Sequence, residues 1–457
     1  MMASETKEHK GCLFAASLTL WMLLLTLFPL RAEVSEGAPG YIPSTGTADS
    51  LRVSIVTCWP GPEIYELAGH EAIRVVGPGF DYVWNYGTFD FDQPNFIGRF
   101  VSGQTDYMVQ AYPFAWFLPE YKARGSRVVE QELLLTPVEK ARLFENLKRN
   151  ARPENATYRY NYVKDNCATR ITAMLDSTLE RRIVFPDTVR HGTFRKVMRA
   201  YHHDYPWYQF GIDLVLGSGL DYKITRRDEM FAPLEMESAY ASARFADGGG
   251  PVAAPAVVLY EGKEDATLGP TPWYLTPFAA SVLALLISVG ALLLWWRRNA
   301  LARWWYSLYF GLCGIGGCLV AYLVFFSTHE ATSPNLILVW LNPLQLILAA
   351  GVWWRSWRYP ASAVALYNTV AIPVLLLIWP SQPQSASAPI FIFMLSAILL
   401  SVLYIIIVLK KSYYNDMVHP SAKWQPGFLR APSAKGKKKT VTPKTRKTSA
   451  PSRSRKK

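Results

Sequence analysis

The sequence predicts an α+β domain followed by an α-helical bundle of five transmembrane helices, and three observations support this prediction. Strand-like runs and capped helices fill residues 50–245. Gly, Ala and Pro then become frequent, so residues 246–272 are predicted to be a linker. Residues 273–410 contain five uncharged apolar stretches long enough to cross a bilayer, at about 275–296, 304–326, 335–354, 361–379 and 389–409.

The strands of the first domain are predicted from apolar and β-branched runs bounded by turn residues. Gly77-Pro78-Gly79 is typical of a tight turn between two of them. A helix is predicted to begin after Thr136, which can cap it and is followed by a proline at the first helical position. The predicted strands are Val53–Cys58, Ala72–Val76, Tyr82–Tyr86 and Arg127–Leu135.

Both ends of the chain differ from the body in composition. Residues 1–32 have Lys7 and Lys10 before an apolar run, and they predict a signal peptide, either cleaved after Ala32 or retained as an anchor. From Lys410 onward the chain carries 15 Lys and Arg against one acidic residue, so the net charge of +13 belongs to the tail. Residues 411–457 are therefore predicted to be disordered and to touch anionic lipid rather than nucleic acid.

The basic residues also predict how the chain crosses the membrane. Arg297, Arg298 and Arg303 lie in one connection between apolar stretches, and Arg355 and Arg358 lie in another. The alternate connections, 327–334 and 380–388, contain no Lys or Arg. The positive-inside rule then places the first domain in the periplasm, and the tail in the cytoplasm, of a multi-pass inner-membrane protein.

Cys167 is the strongest candidate for a nucleophile. It follows Asp165 and Asn166, either of which can cap a helix, and Ile171, Leu175 and Leu179 then form an apolar stripe. A thiol in the first turn of a helix lies near unsatisfied N–H groups, which favour the thiolate.

His70 is the candidate base, because it opens a predicted strand well before Cys167 in sequence. A hairpin about residues 77–79 could bring Asn85 beside His70 as the group that orients the imidazole. Tyr86, Asp90 and Asp92 are alternatives for that role.

Cys58 is the other cysteine of the first domain. It is a weaker candidate nucleophile than Cys167 because a rigid Trp-Pro-Gly-Pro loop, and not a helix, follows it. A Cys58–Cys167 disulfide is the structural alternative. The spacing of His and Cys predicts no metal site, and no cofactor is predicted.

Three segments give the chain a specific resemblance to a known family. The segments 67–74, 84–91 and 162–170, which read LAGHEAIR, WNYGTFDF and YVKDNCATR, resemble the periplasmic domain of the Lnb family of lipoprotein N-acyltransferases. The segments THEATSPN (328–335) and LNPL (341–344) are similar to its membrane portion. The order of His before Cys also resembles permuted papain-like folds such as the NlpC/P60 group.

The resemblance implies transfer of a fatty acyl chain from a phospholipid donor to the N-terminal amine of a lipoprotein acceptor, with Cys167, His70 and Asn85 as catalytic residues. Two other functions stay open: an NlpC/P60-like cell-wall peptidase or amidase, and a non-enzymatic membrane binding or sensor protein. Polar residues near the thiol and in or beside the third apolar stretch are candidates for substrate binding: Tyr86, Asn166, Arg170, His329, Asn335 and Asn342.

Overall fold

The computed structural model describes residues 50–89, 94–186, 188–263, 267, 269–295 and 300–409. The predicted signal peptide, the basic tail, Asp90 and Asp92 lie outside these residues. Among the described residues, 50–89, 106–186 and 230–267 form one compact unit, which we call the sheet unit. The segments 94–105, 188–229 and 269–409 form the other, which we call the membrane unit.

The sheet unit is built on seven antiparallel strands in the order β6-β4-β3-β2-β1-β5-β9. The predicted hairpin is confirmed, because β2 and β3 pair up to Gly77 and Phe80. A separate two-stranded ribbon pairs β7 with β8. The strands are β1 (Arg52–Cys58), β2 (His70–Gly77), β3 (Phe80–Thr88), β4 (Asp106–Pro113), β5 (Val128–Glu132), β6 (Thr157–Arg159), β7 (Ile183–Val184), β8 (Arg244–Phe245) and β9 (Val257–Tyr260).

Each face of this sheet is covered by helices, because the side chains of a strand alternate between two apolar layers. On one face Ile55, Ile73 and Trp84 pack in a single core with the helices Pro137–Asn150, Cys167–Thr178 and Pro233–Tyr240. On the other face Val56 and Ala72 pack with the helix Phe114–Arg124. The helices of the sheet unit are α2 (Phe114–Arg124), α3 (Pro137–Asn150), α4 (Pro153–Ala156), α5 (Cys167–Thr178) and α9 (Pro233–Tyr240).

The predicted linker is wrong over its first half. Val252 is fully buried, and residues 257–260 form the edge strand β9, which pairs with β5. The Gly, Ala and Pro of residues 246–255 suggested a flexible connection. They instead belong to a chain that crosses the sheet unit and hydrogen-bonds to Glu132 and Leu134.

The membrane unit contains helices from three separate parts of the chain. Those from the first two segments are α1 (Phe96–Val101), α6 (Phe194–Tyr201), α7 (Pro206–Val215) and α8 (Arg226–Glu229). Those of the C-terminal segment are α10 (Pro277–Trp295), α11 (Ala300–Phe325), α12 (Gln345–Gly351), α13 (Arg358–Ile378) and α14 (Ala388–Leu409).

The prediction of five continuous spanning helices is not confirmed. Within the described residues, three helices are long and apolar enough to cross a membrane, at Ala302–Phe325, Arg355–Ser381 and Ala388–Leu409, and the apolar helix at Pro277–Leu293 is shorter. The third predicted stretch is broken into a 3-10 turn at Leu336–Val339 and the seven-residue α12. Asn342-Pro343 lies at the break, because proline lacks an N–H donor and restricts the residue before it.

Candidate functional site: a thiol and an imidazole at one end of the sheet

The candidate nucleophile Cys167 is the first residue of α5, as predicted. Asn166 caps the helix: its Oδ1 accepts from Thr169 N at 3.0 Å, and Thr169 Oγ1 accepts from Asn166 N at 2.7 Å. Ile171 and Leu175 are fully buried in the core against the sheet. The cap and the apolar stripe together fix the position of the thiol.

The resting thiol differs from the expectation of a stabilised thiolate. Burial raises the pKa of the Cys167 thiol, and hydrogen bonds from the backbone N–H groups of Glu71, Ala168 and Cys167 offset this only in part. The prediction considered the effect of the helix N-terminus on the pKa of the thiol but not the effect of removing water from around the sulfur. Cys167 therefore holds its proton at neutral pH and needs a base to remove it.

His70, the candidate base, opens β2 and is held by Asn85 on the neighbouring strand β3. His70 Nε2 lies 2.5 Å from Asn85 Oδ1, and Asn85 Nδ2 donates to Tyr112 Oη at 2.8 Å. Because the amide nitrogen donates to Tyr112, Asn85 Oδ1 accepts from His70 Nε2–H. This bond fixes the tautomer and leaves the lone pair on Nδ1.

The surroundings of His70 favour the neutral ring. Burial lowers the pKa of His70, while the hydrogen bond that His70 donates to Asn85 and the charge of Glu120 oppose the shift. The ring also stacks on Tyr121 of α2, with a centroid distance of 6.0 Å and an interplanar angle of 13°. A neutral imidazole in a fixed orientation is the form that can accept a proton.

Gly87 marks the point where these groups meet. A Cβ built on Gly87 would lie 3.8 Å from His70 Cε1, 3.9 Å from Cys167 Cβ and 3.9 Å from Tyr158 Oη. Gly87 has φ +94°, and the register of β3 against β4 shifts between Tyr86 and Thr88. A glycine at this bulge thus leaves space among the three side chains.

Two side chains of the site were not predicted. Tyr158 Oη is buried and has no hydrogen-bond partner among the described residues, and the guanidinium of Arg170 lies 4.1 Å from the centre of its ring. Glu71 is fully buried: Oε1 accepts from Thr57 Oγ1 at 2.9 Å, while Oε2 has no partner among the described residues. The only sequence signals were their positions, one next to His70 and one in the aromatic run before Cys167.

Cys58 lies in a different environment from Cys167. It is paired with His70 across β1 and β2, is fully buried, and has a thiol whose pKa burial raises well above its usual value. Cys58 and Cys167 are both free, so the disulfide alternative is wrong. Of these two thiols, Cys167 is the one with partial exposure.

The candidate substrate-binding residues of the sheet unit already make contacts within the protein. Tyr86 Oη donates to Asn150 Oδ1 at 2.8 Å, and Asn166 Nδ2 donates to the carbonyls of Tyr162 and Phe231. Arg170 pairs with Asp165 in a bidentate ion pair. A substrate role for these three residues stays a prediction, and it would require them to exchange partners.

The candidates of the membrane unit are likewise bonded to nearby backbone. His329 Nε2 lies 2.8 Å from the carbonyl oxygen of Phe100, and Asn335 Nδ2 donates to the carbonyl of Leu214 at 3.0 Å. Asn342 Nδ2 donates to the carbonyl of Leu338 at 3.1 Å. Substrate binding by these residues also stays a prediction.

The site has the composition of a thiol centre. In the part of the chain that the structure describes, no three His, Cys, Asp or Glu side chains cluster as metal ligands would. A thiol at a helix start, a neutral imidazole and an amide bonded to that imidazole are the groups that thiol–imidazole nucleophilic catalysis uses. The chain that carries these groups also contains the membrane unit.

Comparison with known proteins gives the family. Residues 43–200 match the Lnb N-terminal periplasmic domain, and residues 270–412 match the Lnb transmembrane domain. The two matches together cover more than half of the 457 residues. No curated protein and no solved structure matches the chain. The chain belongs to the Lnb family and is a membrane protein with a periplasmic domain.

Proposed function

We propose that the protein is a lipoprotein N-acyltransferase that moves a fatty acyl chain from phospholipid to the N-terminal amine of a lipoprotein through a thioester on Cys167. The observation that carries the proposal is the meeting of His70, Cys167 and Tyr158 at Gly87, with His70 held by Asn85. Membership of the Lnb family supports the choice of an acyl substrate over a peptide substrate.

In the first half-reaction, His70 Nδ1 takes the proton of the Cys167 thiol as Sγ attacks the ester carbonyl carbon of the phospholipid. The ester C–O bond then breaks, and the proton passes from His70 to the departing glycerol oxygen. The products are a thioester on Cys167 and a lysophospholipid. A base is required here because burial keeps the resting thiol protonated.

In the second half-reaction, the lipoprotein amine attacks the thioester carbonyl and loses a proton to His70. The C–S bond breaks, and the thiolate regains the proton from His70. Thiolate is a better leaving group than the amine, so the tetrahedral intermediate collapses towards the amide. The amide product is stable and does not react back.

The negative charge on the carbonyl oxygen of each tetrahedral intermediate requires hydrogen-bond donors. We assign Tyr158 Oη to this role, because it is buried beside the thiol without another partner among the described residues. Burial also raises the pKa of the Tyr158 phenol, so that it stays a donor at neutral pH. The backbone N–H groups at the start of α5 are the second source of donors.

The proposal includes a permuted papain-like arrangement for the sheet unit and five membrane crossings for the chain. A broken segment can cross a membrane where it is buried in protein. In the third stretch, Asn342 at the break and Gln345 just after it are buried, and Gln345 exchanges amide hydrogen bonds with Asn368 of α13. We further propose that the protein lies in the inner membrane, with its site in the periplasm and its tail in the cytoplasm.

Acyl-enzyme formation tests the proposal directly. Membranes that contain the full chain are incubated with phospholipid carrying an alkyne-tagged acyl chain, and the hydroxylamine-sensitive label on the protein is measured. Wild type and Cys58→Ala should be labelled, whereas Cys167→Ala should lose the label completely. Labelling of Cys167→Ala would refute the thioester, and release of peptides from purified murein would favour the peptidase instead.

A further inference from the structure

A short apolar helix of the membrane unit has no buried residue of its own. The chain leaves β3 after Thr88 and returns as β4 at Asp106, and α1 forms in between. None of the six residues of α1 is buried, and Ile97 and Phe100 are 55% and 50% exposed. Two large apolar side chains on so short a helix are unusual on a surface that faces only water.

Hydrogen bonds tie the segment 94–104 to the end of a candidate spanning helix. The backbone N–H of Thr328 donates to the carbonyl of Ser102 at 3.0 Å, and Thr328 Oγ1 donates to the carbonyl of Gly103 at 2.9 Å. His329 Nε2 lies 2.8 Å from the carbonyl oxygen of Phe100. Because Thr328 and His329 follow the span Ala302–Phe325 within four residues, these bonds set the level of α1 along the membrane normal.

The surface around this attachment is apolar and belongs to the spanning helix itself. Tyr322, in the last turn of α11, bonds through Oη to Ser102 Oγ at 2.8 Å and stacks on Phe326. Phe325 and Phe326 are 69% and 74% exposed. Exposed aromatic residues at the end of a span face the boundary between lipid head groups and acyl chains. The exposed side chains of α1 extend the same apolar surface.

We propose that α1 is an interfacial membrane helix, with its backbone at head-group level and Ile97 and Phe100 among the acyl chains of the leaflet at the end of α11. The connection 327–334 contains no Lys or Arg, so the positive-inside rule identifies this leaflet as the periplasmic one. The exposed face of α1 therefore contacts lipid. Since α1 lies between β3, which carries Asn85, and β4, which carries Tyr112, the connection between these two strands contacts the bilayer.

Photo-crosslinking from single positions tests this inference without reference to activity. Benzoylphenylalanine is placed at position 97 or position 100 of the full chain, which is reconstituted into vesicles of phosphatidylethanolamine and phosphatidylglycerol and irradiated. The matched control is position 138, because Val138 is also apolar and 62% exposed but lies on α3 of the sheet unit. Covalent adducts are identified by mass spectrometry.

Phospholipid adducts several-fold more abundant at positions 97 and 100 than at position 138 are the expected result. Adducts to protein at positions 97 and 100 would overturn the inference and make α1 a protein-docking helix. Equal lipid yields at all three positions would also overturn it. Two positions are used because a single substitution could disturb the segment. Unchanged thermal unfolding of each variant verifies that the chain is folded.

Discussion

The polar side chains around Cys167 and the two asparagines predicted to bind substrate in the membrane unit make different contacts. Around Cys167, Tyr158 Oη and Glu71 Oε2 have no hydrogen-bond partner among the described residues. In the membrane unit, Asn335 and Asn342 bond through both polar atoms of their amides to nearby backbone. A buried polar group without a partner costs stability and therefore needs an explanation, and a ligand that bonds to it is one such explanation. The difference suggests that the chemistry belongs to the sheet unit and that the membrane candidates support the backbone.

The variant expected to reduce transfer most, apart from loss of Cys167 itself, is His70→Ala. Without a base for the buried thiol, the rate of acyl-enzyme formation should fall by about 10²–10⁴-fold. The matched control is His203→Ala, because His203 is 72% exposed in the membrane unit. The rates of acyl-enzyme formation by the two variants are measured with tagged phospholipid. Equal rates would show that His70 is not the base.

The second variant, Tyr158→Phe, tests the unpartnered hydroxyl. Loss of one oxyanion donor should slow acyl-enzyme formation by up to about 10²–10³-fold. Stability should not fall, because the hydroxyl has no hydrogen bond to lose to the described residues. Tyr86→Phe should behave in the opposite way, since it breaks the bond to Asn150 and should cost about 0.5–1.5 kcal/mol of unfolding free energy.

Rate and thermal unfolding measured on both tyrosine variants separate the two roles. If Tyr158→Phe unfolds more easily and transfers normally, its hydroxyl is structural. If Tyr86→Phe instead loses rate at unchanged stability, the substrate role that the sequence predicted for Tyr86 is restored.

The third variant, Asn85→Ala, should have a smaller effect on rate and a diagnostic effect on pH dependence. Orientation of the ring is lost but the base remains, so the fall in rate should be smaller than the roughly 10²–10⁴-fold expected from loss of the base. Protonation of His70 should stop transfer at low pH. Because burial lowers the pKa of His70, this loss of rate should occur at a lower pH than for an ordinary histidine. The hydrogen bond that His70 donates to Asn85 raises the pKa of His70, so removal of this bond lowers that pKa further.

The acid limb of the pH–rate profile should therefore move to lower pH in Asn85→Ala. A purely structural effect of the substitution would lower the rate without moving the limb. A shift to higher pH would show that Asn85 does not stabilise the protonated ring.

The sequence predicted those parts of the site that depend on local pattern. A strand starting at His70, a tight turn at Gly77–Gly79 and a second strand are sufficient to bring Asn85 next to His70, because the register of a hairpin follows from its turn. The helix at Cys167 followed in the same way from its cap and its apolar stripe.

Features that depend on distant contacts were not predictable. Nothing in residues 94–104 or 188–229 indicates that they pack in the membrane unit, because their partners lie more than 100 residues away, as with Gly217 and Ala331. Hydropathy also could not reveal the break in the third apolar stretch, since it averages Asn342-Pro343 with apolar neighbours.

The last variant, Asn342→Ala, should leave transfer unchanged and thereby tests the membrane side of the comparison. Asn342 Nδ2 donates to the carbonyls of Leu338 and Val339, and Oδ1 accepts from Leu344 N. Alanine removes these bonds where the third stretch breaks, at a cost of about 1–3 kcal/mol, although the carbonyl of Val339 keeps its bond from Tyr367 Oη. We therefore expect a lower unfolding temperature in detergent, with an unchanged rate of acyl-enzyme formation from tagged phospholipid at temperatures where the variant is folded. A loss of rate at unchanged stability would give Asn342 a role in binding substrate and would remove the distinction between the two units.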